Sequence, residues 1–294
     1  NIYLNKILET KNVDYVIASD TDSVYITFDK LVTKLFPEGT STEKVINFLD
    51  KIANEKLEPF IDKSYQHLAG EMNAYDQKMQ MAREAIADKG IWTAKKRYIL
   101  NVWDMEGVRY KEAKLKIMGI EAVKSSTPAP CREKIKQALK IIMNGDEKML
   151  NTFIKEFREE FMNLSPEEIA YPRSVNGLEK FAGESTLFAK GAPIHCKGAI
   201  LYNHLIKKNK LENKYQLIQN GDKIRFLHMR QPNVFQSSAF SFMTEVPKEL
   251  DISNKIDYDM QYEKSFIEPL KVITEKINWL ISYGAQSTLE DFFG

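Results

Sequence analysis

The sequence predicts an α+β fold: a small antiparallel sheet with helices, followed by a mainly helical domain that carries a β-hairpin. Three observations carry this. Short β-branched and aromatic runs separated by tight polar turns gather at residues 14–29 and 78–110. Apolar stripes at helical spacing dominate from about residue 129 onward. Within that later region one Asn-Gly pair, Asn220-Gly221, stands between two apolar runs, a strong hairpin signal.

The 294 residues suffice for one large domain or two ordinary ones, and 43% hydrophobic with 28% charged residues excludes a chain disordered by composition. The formal net charge is only +1, but its distribution is uneven. Residues 95–124 hold eight Lys/Arg against four Asp/Glu, and residues 187–230 hold nine against two. Two basic fields in a neutral chain suit a polyanion, and they also suit solvated surface lysines. Cys131 and Cys196 are far apart, which fits a reducing compartment without a disulfide framework. The four histidines form no zinc-like cluster. No apolar run approaches the roughly 20 residues of a membrane span, and no signal peptide is visible. The chain starts at Asn1 rather than Met and reaches its first hairpin at once, so it is expected to be the later part of something longer.

Taken in order, Leu4, Ile7 and Leu8 predict the end of a helix. Tyr15–Ala18 and Val24–Phe28 predict two strands around Ser19-Asp20-Thr21-Asp22-Ser23. Thr40 and Glu43 offer a capping box for a helix through Val45, Ile46, Leu49, Ile52 and Ala53, which Pro59 should kink or restart. Alternation predicts a strand over Lys78–Ile86, and a second from Gly90 through Lys95-Lys96-Arg97-Tyr98 to Trp103. Glu106-Gly107 reads as a turn and Val108–Tyr110 as a returning strand. After Ser125–Pro130 the texture changes, and a domain boundary is expected near 120–125. Helices follow through Ile135, Leu139 and Ile142 to Asn144-Gly145, through Leu150 to Phe161, and from Ser165-Pro166-Glu167-Glu168. The hairpin is expected at 215–219 and 223–229, with a last helix through Phe266, Leu270, Ile273 and Ile277.

Three features bear on chemistry. Asp20 and Asp22 put two carboxylates on one hairpin tip, where they repel unless a cation lies between them; hard cations such as Mg²⁺ take oxygen ligands and share them with substrate phosphates. The alternative is a solvated Asp-rich turn. Lys95-Lys96-Arg97-Tyr98, read as strand, sends Lys96 and Tyr98 to one face, where they suit a nucleic-acid minor groove; the alternative is a basic edge strand that resists aggregation. Leu289, Phe292 and Phe293 put apolar anchors at the C-terminal end, suited to a partner's groove or to packing on their own domain.

With these in view the chain resembles the family B DNA polymerases of T-even-type bacteriophages. Asp20-Thr21-Asp22-Ser23 resembles the palm motif C of that family, Lys95-Lys96-Arg97-Tyr98 its primer-template contact motif, Lys116–Gly119 with Ser125–Pro128 its palm-to-thumb transition, and Ser287–Gly294 its sliding-clamp peptide. The resemblance runs over the whole chain in one order. It implies the C-terminal part of the palm at 1–122, a thumb at 123–286 and a clamp-binding tail at 287–294. It implies Asp22 as a ligand bridging two Mg²⁺ ions and Asp20 as its carboxylate partner. Glu84 is implied as an acidic palm residue close to the metals, and Glu106 as another. Lys95, Lys96, Arg97, Tyr98, Gly119 and Lys197 are implied as DNA contacts, and Leu289, Phe292 and Phe293 as clamp anchors. The implied partners are primer-template DNA, a dNTP, the sliding clamp, and an N-terminal polymerase part with exonuclease, motif A and motif B, in the cytoplasm of an infected host cell. Ala18 and Ser19 depart from the aromatic residue and Gly that usually precede the first Asp. Motifs A and B are not found here, so the chain would hold about half an active site. Two other classes stand beside this one: a non-catalytic DNA- and clamp-binding module, and a metal-dependent nucleotide-sugar glycosyltransferase. The latter should show an α/β nucleotide-binding pattern upstream of its Asp-x-Asp.

Overall fold

The computed structural model describes residues 1–183 and 186–282. The chain divides into two compact units, one of residues 1–90 with 99–116 and the other of residues 91–98 with those from 117 onward. The α+β expectation holds: among the described residues helices alternate with three small sheets.

The first unit opens with helix α1 (Ile2–Ile7), strands β1 (Val16–Asp20) and β2 (Ser23–Ile26), and helix α2 (Asp29–Leu35), which the sequence reading missed. Helix α3 (Thr42–Ile52) runs through a π turn into α4 (Glu58–Glu71), and Pro59, which has no N–H to continue the ladder, comes just after that widened turn. The capping box at Thr40 and Glu43 does not form. Ser41 is the N-cap without a side-chain bond, and the Thr40 hydroxyl instead donates to the Pro37 carbonyl at 2.8 Å.

Strands β3 (Ala85–Ala94), β4 (Arg97–Met105) and β5 (Val108–Met118) form a three-stranded sheet in that order. Two-residue connections at 95–96 and 106–107 make the neighbours antiparallel. This corrects two expectations. Residues 78–84 are not strand, because their backbone is taken by side chains: Gln77 bonds both Met79 groups, and Glu58 Oε1 accepts from the Arg83 N–H at 2.8 Å. Lys95 and Lys96 are not strand either but the β3–β4 turn, with Lys96 at φ +61°.

In the second unit, α5 (Ala129–Asn144), α6 (Glu147–Phe161) and α7 (Pro166–Ile169) stand where the stripes predicted helices. Ser165 and Glu168 form the expected capping box of α7. Strand β6 (Tyr171–Ser174), the short α8 (Leu178–Phe181) and α9 (Ile194–Lys208) lead to β7 (Lys223–His228) and β8 (Ala239–Phe242), and the three strands pair antiparallel as β6-β7-β8. Gly198 on α9 admits this sheet, since a Cβ there would lie only 2.9 Å from the Phe240 carbonyl carbon. The expected hairpin about Asn220-Gly221 is absent. Residues 215–219 are not strand, because Asn203 of α9 bonds both the N–H and the carbonyl of Ile218, each at 2.8 Å, and the Asn220 side chain accepts from Leu178 N–H instead. Helices α10 (Tyr258–Tyr262) and α11 (Glu268–Thr274) flank a π turn. Here Phe157 meets Phe266 edge-on at 4.7 Å and the Tyr262 hydroxyl donates to the Ile154 carbonyl at 2.7 Å, making an aromatic core with its polar tip satisfied.

Candidate active-site hairpin and nucleic-acid contacts

Asp20 and Asp22 stand as the sequence placed them. Register pairs Asp20 with Ser23, leaving Thr21 and Asp22 as a two-residue turn. The Asp20 carboxylate accepts from the Thr21 N–H at 2.9 Å, which fixes its rotamer; Asp20 is half-buried and Asp22 exposed. The hairpin base is held by Asn1, whose side-chain oxygen accepts from Tyr15 and Val16 N–H at 2.8 and 3.0 Å. A bulge between Val16 and Ala18 turns the tip and leaves Ile17 half exposed.

The donor set suits a hard divalent cation in kind, with oxygen ligands on a braced turn. In number it is partial: among the described residues no three His, Cys, Asp or Glu side chains come together to hold a metal ion.

Glu84 and Glu106 are brought together through the main chain. The Glu106 N–H donates to the Glu84 carbonyl at 2.6 Å. Glu106 and Gly107 form the β4–β5 turn at φ +50° and +86°, while the Glu84 carboxylate pairs with Lys116. Beside them lies an arrangement that sequence reasoning missed. Arg83 donates to Asp104 and, at 2.7 and 3.0 Å, to Asp50. Arg109 meets Asp104 at 2.7 Å and Asp50 at 3.3 Å. Two Arg and two Asp thus alternate in a closed ring, with Asp104 wholly buried. Its members are scattered from 50 to 109, so no local pattern announces it.

The Lys95–Tyr98 segment differs from its strand-face expectation. Lys95 and Lys96 occupy a turn, so alternation does not set Lys96 beside Tyr98. Arg97 Nη2 donates to both Glu121 oxygens at 2.7 and 3.0 Å, and Lys124 donates to the same carboxylate at 2.9 Å. Burial pushes the Glu121 carboxyl up, but the Lys124 hydrogen bond, a backbone bond and the Arg97 and Lys124 charges outweigh it and hold the group below its usual range. Tyr98 is buried, its ring 6.1 Å from that of Trp92. Gly119, at φ +65°, packs against this turn. Lys197 is half-buried near the start of α9, whereas Lys190, Lys207, Lys208 and Lys210 are exposed. Leu289, Phe292 and Phe293 lie outside the described residues.

A cleft of about 320 Å³ in the second unit was also missed. Lys124, Arg173 and Lys264 reach it from three separate elements, over Tyr171, Phe226 and His228. Arg173 donates to the Ser126 and Pro172 carbonyls, both at 3.1 Å, and among the described residues no carboxylate pairs with it. Burial, then the Lys264 charge, pushes His228 below its usual range.

No family model matches the chain. Along its whole length it is similar to the DNA-directed DNA polymerase of Enterobacteria phage T4, 33% identical over a 307-residue alignment, and to that of Escherichia phage RB69, 36% identical over 307. The chain spans 33% of each of these relatives, about a third of their length. The likeness therefore lies with one class, the DNA-directed DNA polymerases of phages. Within it the likeness is to the T-even type, and the chain corresponds to a C-terminal part of such a polymerase. Among the described residues no helix is long and apolar enough to cross a membrane.

Proposed function

We propose that the chain supplies the motif C carboxylates, the primer-template contacts and the clamp tail of a replicative DNA-directed DNA polymerase. Residues 1–122 would complete the palm, 123–286 would form the thumb, and 287–294 would dock on the sliding clamp. The observation that carries this reading is the braced Asp20-Thr21-Asp22 turn, set in a chain that is similar to phage polymerases from end to end.

Asp22, exposed at the tip, and Asp20, locked beside it, would hold Mg²⁺ against the triphosphate of the incoming dNTP. When bound, two Mg²⁺ ions activate the attacking 3′-oxygen and steady the leaving group. The exposed Glu106 carboxylate adds negative charge that favours a cation, while the Glu84 carboxylate is balanced by Lys116. The Lys95–Lys96 turn presents ammonium groups to backbone phosphates or to minor-groove acceptors, while Arg97 and the buried Tyr98 hold that turn in place. The basic side chains around Lys197 would grip product duplex. The other metal-binding carboxylate, the triphosphate-binding Lys and the exonuclease would come from an N-terminal polymerase part, working in the host cytoplasm during infection.

The test is primer extension by the purified chain, with and without a matching N-terminal polymerase part. Extension only when both are present supports the reading. Robust incorporation by this chain alone overturns it. Tight, salt-sensitive duplex binding that never yields extension under either condition, and is indifferent to Asp20→Ala and Asp22→Ala, favours the non-catalytic module.

A further inference from the structure

We propose that the cleft over Tyr171, Phe226 and His228 in the second unit binds a phosphate monoester carried on a planar ring, the chemistry of a nucleoside monophosphate. It uses none of the residues of the Asp20-Thr21-Asp22 turn, so the two readings stand or fall separately.

Three cations reach the cleft from different parts of the unit. Lys124 follows the 3₁₀ turn Glu121–Val123, Arg173 lies on β6, and Lys264 sits in the π turn between α10 and α11. Arg173 is the most firmly set. Its Nη1 donates to the Ser126 and Pro172 carbonyls, both at 3.1 Å, and its guanidinium stands 5.8 Å from the centre of the Tyr171 ring. Its Nη2 and Nε have no protein partner among the described residues. A guanidinium held this way offers a pre-set fork that matches two phosphate oxygens.

The charge balance selects the kind of phosphate. Lys124 shares the Glu121 carboxylate with Arg97, and Lys264 pairs with Glu268. Arg173 adds a cation with no carboxylate, so four cations meet two carboxylates. A phosphodiester brings one negative charge to such a site, whereas a terminal monoester brings about 1.5 to 2 near neutral pH. The monoester is the better match. Two imidazoles register the same field. Burial, then the Lys264 charge, depresses His228 against the opposing charges of Asp257 and Glu268, and burial, then the Arg173 charge, depresses His195.

The floor accounts for the planar ring. Tyr171 and Phe226 stack at 5.0 Å, His228 meets both edge-on at 6.2 and 5.8 Å, and Ile194 packs against the pair. These side chains hold one another, so the apolar floor is formed before a ligand arrives. At about 320 Å³ the cleft falls at the lower end of small-molecule pockets, with room for a base and sugar beside the phosphate. A solvated basic hollow is the plainer reading. It requires neither an arginine anchored on two backbone carbonyls nor a packed apolar floor beneath the cations.

The experiment is isothermal titration calorimetry of the full chain, in phosphate-free buffer, with 2′-deoxyadenosine 5′-monophosphate, deoxyadenosine and inorganic phosphate. The monophosphate should saturate a single site, and the other two should bind at least about tenfold more weakly, because each lacks part of the contacts. Arg173→Gln should weaken the monophosphate by at least about tenfold, and Lys264→Gln, a change at a partly exposed side chain, should do the same where the first does not fold. Competition by a short single strand, with and without a 5′-phosphate, separates the two sources of a monoester. Displacement by the phosphorylated strand alone points to a strand end, displacement by neither points to a free nucleotide, and both results support the site. Equal displacement by the two strands makes the ligand a backbone diester and overturns the proposal. So does equal binding of the monophosphate and deoxyadenosine, a lack of saturable binding, or an affinity for the monophosphate that both variants leave unchanged.

Discussion

A Cβ on residue 119 would collide with the carbonyl oxygen of Lys96, so the two fit only because Gly119 has no side chain. The same Cβ would lie 3.1 Å from Arg97 Cγ, and Gly119 holds φ +65°. This contact supports the Lys95–Lys96 turn from beneath.

Gly119→Ala is therefore expected to destabilise the chain by about 1–3 kcal/mol, from left-handed strain and backbone collision together. Urea unfolding measures the loss. Duplex affinity should fall as well, because the displaced atoms belong to Lys96 and Arg97.

Glu121 should titrate below its ordinary value of 4.5, because Lys124 and Arg97 favour its charged form. Its folded pKa is depressed, so its contribution to stability is full above the unfolded pKa and is lost as pH falls through the folded one. Carboxyl ¹³C NMR checks the midpoint, and Lys124→Ala should move it upward. An unchanged midpoint would mean that the lysine contact is not kept in solution.

Removing one member of the charge ring should cost more than surface ion pairs do. Arg83→Ala leaves the wholly buried Asp104 with Arg109 as its remaining ion-pair partner beside the Gly107 N–H, and a loss of about 3–5 kcal/mol is expected by thermal or urea unfolding. Lys51→Ala, which removes an exposed pair with Glu55, should change stability by less than about 1 kcal/mol.

Glu106→Gly should do the reverse of what its exposed position suggests. Relief of the positive φ should make the variant as stable as the unaltered chain, or more stable by about 0.5–1 kcal/mol. Differential scanning calorimetry tests this. A clear loss of stability would mean that the glutamate is held for packing.

The fold was legible where local pattern and final environment agree. The Asp20/Asp22 hairpin was visible because two β-rich runs flank a short polar turn and pair with each other. The Asn220-Gly221 hairpin was not, because Asn203 on a helix takes the backbone bonds that a neighbouring strand would have made. The Lys95–Lys96 turn carried no turn residues, and its shape depends on Gly119 far along the chain. Of the site, the paired aspartates could be read from sequence. The ring that ties Arg83, Asp50, Arg109 and Asp104 could not, since only folding brings those four residues together.

The most direct measurement is primer extension by the chain combined with the N-terminal polymerase part, comparing Asp22→Ala with Asp29→Ala as a control from the same unit. Asp22→Ala should lower the rate by at least about a hundredfold, the scale on which loss of charge stabilisation at a reacting centre is felt, and Asp29→Ala should leave it unchanged. An Asp22→Ala rate equal to that of the unaltered chain would contradict a catalytic role for the Asp20-Thr21-Asp22 turn.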